Sequence, residues 1–60
     1  MRVICIKVCE PDTFLDEPIL VDTILNIENE IVIRKNMFRF VEMICEINSD
    51  YFNEHFKLIG

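Results

Sequence analysis

Apolar and β-branched side chains dominate the first part of the chain. In residues 2–9 nearly all side chains are apolar, so both faces of an extended segment would be apolar. Soon after them comes Pro11, which has no N–H to donate to a β-ladder. This pattern predicts a strand at 2–9 that is partly covered on both sides, as in a small barrel. Residues 10–18 contain two prolines and no periodicity, so they are predicted to form a loop.

A hairpin is predicted in the middle of the chain. Two apolar segments, 19–27 and 31–34, flank the polar residues 28–30. The Asn-Gly pair that tight hairpin turns prefer is missing there. A second turn is predicted at 35–36, because Asn36 tolerates the left-handed backbone conformation that such turns need.

Residues 37–47 are compatible with two structures. Their polar residues recur at steps of three and four, which is helical spacing, whereas their content of Phe, Val and Ile and their lack of Ala and Leu favour a strand. As a strand, the segment needs a bulge between Phe40 and Val41, because the apolar alternation changes face at that point. We predict the strand, with a helix at 37–47 and hence an α+β fold as the alternative.

The end of the chain contains a short helix signature. Residues 48–50, Asn-Ser-Asp, are suitable N-cap residues, and they precede a predicted helical turn at 51–56 and a terminal strand at 57–59. With no repeat, linker or low-complexity segment, residues 1–60 are predicted to form a single, mainly all-β domain.

Four segments in order, 2–6, 21–27, 38–42 and 51–59, resemble a family of very small SH3-like barrel proteins. These proteins are common in bacteriophages and in the bacterial genomes that carry them. The resemblance implies a five-stranded, strongly bent barrel with one short helical turn at 51–56 before the last strand. The chain departs from the pattern at Asp22, where the family tends to have glycine, and at Leu25, where it tends to have tyrosine. No activity follows from the resemblance, because a fold does not specify a function.

Size and cysteine content limit the possible environments. A chain of 60 residues buries only about 60% of its unfolded surface, so a homodimer that completes the core is one expectation. Three cysteines cannot all pair within one chain, which favours free thiols in a reducing cytoplasm, here that of a bacterial host cell. No apolar run approaches the ~18 residues that a membrane-spanning helix requires, so no membrane association is predicted.

Few residues are suited to catalysis or to metal binding. His55 is the only histidine, no nucleophile motif surrounds Cys5, Cys9 or Cys45, and the only glycine is Gly60, which excludes a phosphate-binding glycine loop. A Cys₃His zinc site is disfavoured because Cys5 and Cys9 would lie roughly 13 Å apart in an extended strand. We therefore predict no catalytic residue, no metal and no cofactor, and we expect the cysteines and most aromatic residues to fill the core.

The net charge of −5 is concentrated in the first half of the chain. Seven acids and no base lie between Lys7 and Arg34, namely Glu10, Asp12, Asp16, Glu17, Asp22, Glu28 and Glu30. An acidic surface repels nucleic acid and attracts basic partners, so direct nucleic-acid binding is not expected. A protein partner with a basic surface is the predicted partner class.

The best candidate for contact with a partner lies within this acidic half. Phe14 and Leu15 form an apolar pair between carboxylates, and the predicted partner-binding residues are Asp12, Phe14, Leu15, Asp16, Glu17 and Asp22. The alternative is that Phe14 and Leu15 cover one open end of the barrel. The predicted function is a non-catalytic protein-binding module, a phage or mobile-element accessory protein that could inhibit a nucleic-acid-handling enzyme. A structural or assembly protein that self-associates or completes a larger complex is the alternative.

Overall fold

The structure, a computed structural model, describes residues 1–11, 15, 17–35 and 40–60. It contains one antiparallel five-stranded sheet in the order β4-β3-β2-β1-β5, and one short helix. The elements are β1 (Arg2–Cys5), β2 (Ile24–Glu28), β3 (Ile31–Lys35), β4 (Val41–Glu46), α1 (Asp50–His55) and β5 (Phe56–Leu58). The predicted all-β fold with five strands and a short helical turn is confirmed. Among the described residues β4 and β5 do not pair, so the sheet is not closed into a barrel.

The alternative helix at 37–47 is wrong over its described part, because residues 41–46 form β4. Residues 37–39 lie outside the described residues. The expected bulge is present, but not between Phe40 and Val41. Val32 pairs with Cys45 and Ile33 with Met43, so Ile44 is the extra residue. Ile44 and Cys45 both pack against the core, which a regular alternation of side chains would prevent.

The first two strands are shorter than predicted. β1 ends at Cys5 because the chain bends at residues 6–7, where the N–H groups of Ile6 and Lys7 donate to the carbonyl of His55 at 2.7 and 3.4 Å. Cys9 and Ile19 form an isolated antiparallel bridge instead of extending the sheet. The chain therefore leaves the sheet at the end of β1 and returns to it only at β2.

Several tight turns contain non-glycine residues with positive φ, and those in the described ranges are Asp22, Asn29, Glu30 and Asn48. Asn29 (φ 51°) and Glu30 (φ 64°) are the central residues of the β2–β3 hairpin, and two positive φ angles are typical of a type I′ turn. Asp22 (φ 74°) occupies the third position of a turn closed by the N–H of Thr23 and the carbonyl of Leu20 at 3.1 Å. A residue other than glycine thus adopts the left-handed conformation at the position where the resembling family tends to have glycine.

Replacing Glu30 with glycine is expected to stabilise the protein by about 0.5–1 kcal/mol. A left-handed conformation costs an L-residue ~1–2 kcal/mol, and the entropy that glycine loses on folding offsets only part of the gain. The midpoint of thermal unfolding should rise by roughly 2–8 °C. Glu28→Gly is the matched control, because Glu28 is in a strand, and it should lower the midpoint. A lower midpoint for Glu30→Gly would contradict the assignment of the turn.

The core lies between the concave face of the sheet and α1. It consists of Val3, Cys5, Cys9, Leu15, Ile19, Leu25, Val32, Phe52 and Phe56. Ser49 caps α1, as predicted, and its hydroxyl accepts the N–H of Phe52 at 3.1 Å. The expectation that the aromatic residues fill the core is confirmed for Phe52 and Phe56 but is wrong for Phe40, which is exposed. Phe38 is outside the described residues.

None of the helices formed by the described residues has the length and apolar character needed to cross a membrane.

Candidate partner-binding groove

A groove of about 670 Å³ lies between the bend after β1 and the outer side of α1. Its apolar lining consists of Ile6, Val8, Val21 and Tyr51, and its polar lining consists of Lys7, Glu10, Glu54 and His55. Ile6 and Val21 are each about half exposed. A concave apolar surface with a few charged groups at its margin is typical of a binding site.

The carbonyl of Lys7 holds the bend that forms one wall of this groove. Its oxygen accepts hydrogen bonds from Sγ of Cys5 at 3.0 Å and from Sγ of Cys9 at 3.9 Å. It also accepts a hydrogen bond from Nδ1 of His55 at 3.2 Å. His55 also stacks on Tyr51, with 4.2 Å between the ring centroids. The side chain of His55 is buried here. The groove wall is thus fixed to α1 by contacts between residues 48 positions apart.

Acidic groups outnumber basic ones around the groove. The ammonium group of Lys7 contacts the carboxylate of Glu54 and, through this hydrogen bond and its charge, holds the pKa of Glu54 below its usual range. Glu10 is exposed and forms no ion pair with any described residue. The backbone of Asp22 adjoins the groove, because it follows the lining residue Val21 and its N–H donates to the carbonyl of Cys5 at 2.8 Å. Among the described residues, the carboxylates of Glu10 and Glu54 and one lysine therefore border the apolar lining, and Asp22 is the next acidic residue along the chain from it.

The thiols of Cys5 and Cys45 have raised pKa values. Burial is the main cause that raises the pKa of the Cys5 thiol, and the charge of the neighbouring Cys9 is the second. Burial also raises the pKa of Cys45 to about 11. Thiols with raised pKa values are poor nucleophiles at neutral pH. The estimate that Cys5 and Cys9 lie ~13 Å apart in one strand is wrong, because the bend turns both thiols towards the Lys7 carbonyl. No group of three or more potential metal ligands comes together within the described part of the chain.

Of the predicted partner-binding residues, the structure describes Leu15, Glu17 and Asp22. Leu15 is buried in the core, so its side chain is not on the surface where the sequence predicts a contact. Glu17 and Asp22 are exposed, but only Asp22 adjoins the groove. Asp12, Phe14 and Asp16 lie outside the described residues.

Arg34 positions the segment that contains Glu17. Its guanidinium group donates to both carboxylate oxygens of Glu42, from Nε at 3.2 Å and from Nη2 at 3.0 Å. It also donates to the carbonyl of Pro18 at 3.3 Å and to that of Glu17 at 3.1 Å. These contacts fasten the loop before β2 across one end of the sheet, away from the groove.

The fold divides the acidic half of the sequence into two regions. Glu28 and Glu30 lie at the tip of the β2–β3 hairpin, and β2 separates them from Asp22 by roughly 15–20 Å. Lys35 also neutralises part of the negative charge of this hairpin, since its Nζ lies 3.9 Å from the Glu28 carboxylate. Among the acidic residues that the structure describes, Glu10 and Asp22 are therefore the ones that adjoin the groove and form no ion pair with a described base.

Sequence reasoning missed the apolar lining of the groove. The sequence predicts that Ile6 and Val8 belong to the first strand and Val21 to the second, so it does not indicate a shared surface. Tyr51 packs against the core, as expected, and in addition lines the groove. Only the bend exposes Ile6, and this bend depends on His55 near the other end of the chain. The local sequence around Ile6 contains no proline or glycine that would indicate a break in the strand.

The fold and the groove define a small antiparallel β-sheet protein with one short helix and an apolar groove bordered by acidic residues. Comparison of the chain with protein-family models, with curated proteins and with solved structures finds no significant match.

Proposed function

We propose that this protein is a non-catalytic protein-binding module whose groove takes a basic and apolar segment of a partner protein. The observation that carries the proposal is the combination of half-exposed aliphatic side chains in a concave site with the nearby acidic residues Glu10 and Asp22, which form no ion pair with any described residue. The net charge of −5 supports the same partner chemistry, since it favours encounter with a basic surface.

The two parts of the groove have different roles in this proposal. Aliphatic side chains of the partner cover Ile6 and Val21, and this burial supplies most of the affinity. Lysine or arginine side chains of the partner face Glu10 and Asp22, which accelerates association and fixes orientation. Glu54 contributes less to the partner, because Lys7 already neutralises it.

Inhibition follows if the basic segment belongs to the nucleic-acid-binding surface of an enzyme. The module would then occupy the surface that the phosphate backbone needs, because both ligands require the same lysine and arginine side chains. Nucleic acid added in excess should displace the module from such an enzyme.

Replacing Glu10 with lysine is expected to weaken partner binding about tenfold or more, because it places a cation beside the basic groups of the partner. The partner is first captured from bacterial lysate with immobilised protein and eluted with salt, and its affinity is then measured by calorimetry. Glu30→Lys is the matched control, since it changes the net charge equally at the hairpin tip, and it should bind within about threefold of the unmodified protein.

A second variant tests the apolar lining. Ile6→Ser removes an exposed aliphatic group without opening a core cavity, and it should weaken binding at both low and high salt, whereas Glu10→Lys should act mainly at low salt. Equal affinities for Glu10→Lys and Glu30→Lys, together with no effect of Ile6→Ser, would show that the partner binds elsewhere.

A further inference from the structure

Strand β4 forms one edge of the sheet and is the longest strand of the described chain. Its inner side pairs with β3 from Lys35↔Val41 to Ile31↔Glu46, and no other described strand meets its outer side. Alternate N–H and C=O groups along a sheet edge face outwards and can pair with a further strand. Val41 and Met43 on this edge are 50% and 72% exposed.

On the face of the sheet that points away from the core, the residues along this edge carry charges of opposite sign at the two ends. Lys35 and Val41 form one end, the exposed Met43 beside the buried Ile33 forms the middle, and Ile31 and Glu46 form the other end. The bulge at Ile44 produces this arrangement, because it puts Met43 and Glu46 on the same face although they are three residues apart. The edge therefore runs from a cation through an apolar centre to an anion.

We propose that β4 pairs with β4 of a second copy of this chain, in antiparallel orientation about a twofold axis near Met43. Antiparallel pairing reverses the order of charges on the second copy, so the Lys35 end of each chain meets the Glu46 end of the other. The same operation places the apolar centres together, as an isologous interface requires. A parallel arrangement would instead oppose like charges.

The spacing of β-strands permits the two ion pairs. Neighbouring strands lie about 4.8 Å apart, so Lys35 in β3 and Glu46 in the copy's β4 are roughly 10 Å apart between backbones, within reach of their long side chains. Lys35 is available for this contact, because its interaction with Glu28 is an exposed one at 3.9 Å.

The remaining charge on the edge does not oppose the pairing. Glu42 lies between Val41 and Met43 in the chain, but its side chain is on the opposite face of β4. There the guanidinium group of Arg34 binds both of its carboxylate oxygens. In the dimer, the negative charge of each Glu42 is therefore neutralised by Arg34 of the same chain, and the two Glu42 side chains do not repel each other strongly.

The area of contact sets the affinity that we expect for the dimer. An edge of six residues buries less than the ~1,200 Å² of a standard stable interface, so the dimer should form between about 10 μM and 1 mM. Sedimentation equilibrium of the full chain over this range should show a reversible rise from 7.2 kDa to twice that mass. A monomer at every concentration up to about 1 mM would overturn the proposal.

Exchanging the charges of Lys35 and Glu46 tests whether these two residues meet across the interface. Lys35→Glu and Glu46→Lys should each weaken the dimer about tenfold, because each creates two repulsive contacts per dimer. The double variant Lys35→Glu/Glu46→Lys should return to within about threefold of the original dissociation constant. Failure of the double variant to recover, when it unfolds at the same temperature as the original protein, would overturn the antiparallel arrangement.

Two further variants locate the contact. Met43→Glu should abolish the dimer, since it puts two carboxylates at the twofold axis. Lys57→Glu changes the net charge as Lys35→Glu does, but it lies on β5 at the opposite edge, and it should leave the dissociation constant unchanged. A dimer that survives Met43→Glu, or one that is lost in Lys57→Glu, would assign the interface to a different surface.

Discussion

Replacing Leu25 with alanine is expected to lower the free energy of unfolding by about 2–5 kcal/mol. Leu25 is only 7% exposed and belongs to the single core cluster, where the small domain has few other residues to fill a cavity. A domain of this size has a total stability of roughly 3–9 kcal/mol, so the variant should be partly unfolded at 37 °C. Urea denaturation followed by circular dichroism measures the loss.

Leu20→Ala is the matched control for this prediction. Leu20 is the same residue type five positions earlier, but it is 60% exposed, and its truncation should change the free energy of unfolding by less than about 0.5 kcal/mol. If both leucines proved equally costly to truncate, Leu20 would belong to a core that the fold described above does not contain.

Removal of the Arg34 side chain is expected to cost about 2–3 kcal/mol of stability. The half-buried guanidinium group makes four hydrogen bonds, two to Glu42 and one each to the carbonyls of Glu17 and Pro18. Arg34→Ala leaves the carboxylate of Glu42 without its counter-ion. The variant should also lose amide protection in the loop before β2, which hydrogen exchange detects.

Three comparisons separate the contributions of this network. Arg2→Ala removes an exposed arginine and should have little effect. Arg34→Lys keeps the charge but loses the two-pronged contact with Glu42, and it should fall between the original protein and Arg34→Ala. The double variant Arg34→Met/Glu42→Met should be more stable than Arg34→Ala, because it leaves no unpaired charge. Equal stability of Arg2→Ala and Arg34→Ala would show that the network contributes nothing.

The groove and the β4 edge are on different parts of the sheet. The groove adjoins the end of β1 and α1, whereas β4 is separated from β1 by β2 and β3. A dimer formed through β4 would therefore present two grooves at the same time. A partner with two basic segments, or a repeating one, would bind such a dimer more tightly than a monomer without any new contact.

Much of the secondary structure could be predicted from the local sequence. The hairpin around Asn29, the cap at Ser49 and the helical turn before the last strand were all predicted close to where they occur. These features depend on residues within a few positions of one another, namely on turn chemistry, capping and β-branched content. The ambiguity between strand and helix is decided at residues 41–46 by pairing with β3, which no local pattern contains.

The candidate site was predicted only in part. Asp22 is exposed next to the groove, but Leu15 lies in the core, and Glu28 and Glu30 lie at the far end of β2. Charge counting along a chain cannot show how the fold separates its residues.

The sequence by itself determined the all-β class, the hairpin, the capped helical turn and the sign of the charge, because each depends on composition or on near neighbours. Only the tertiary structure decided the bend after Cys5, the groove and the charge order along β4. The bend requires the Lys7 and His55 segments to meet across 48 positions, and the edge pattern requires the bulge opposite Val32 and Ile33. Such contacts form only when the sheet and the helix pack together, so they lie beyond any local pattern.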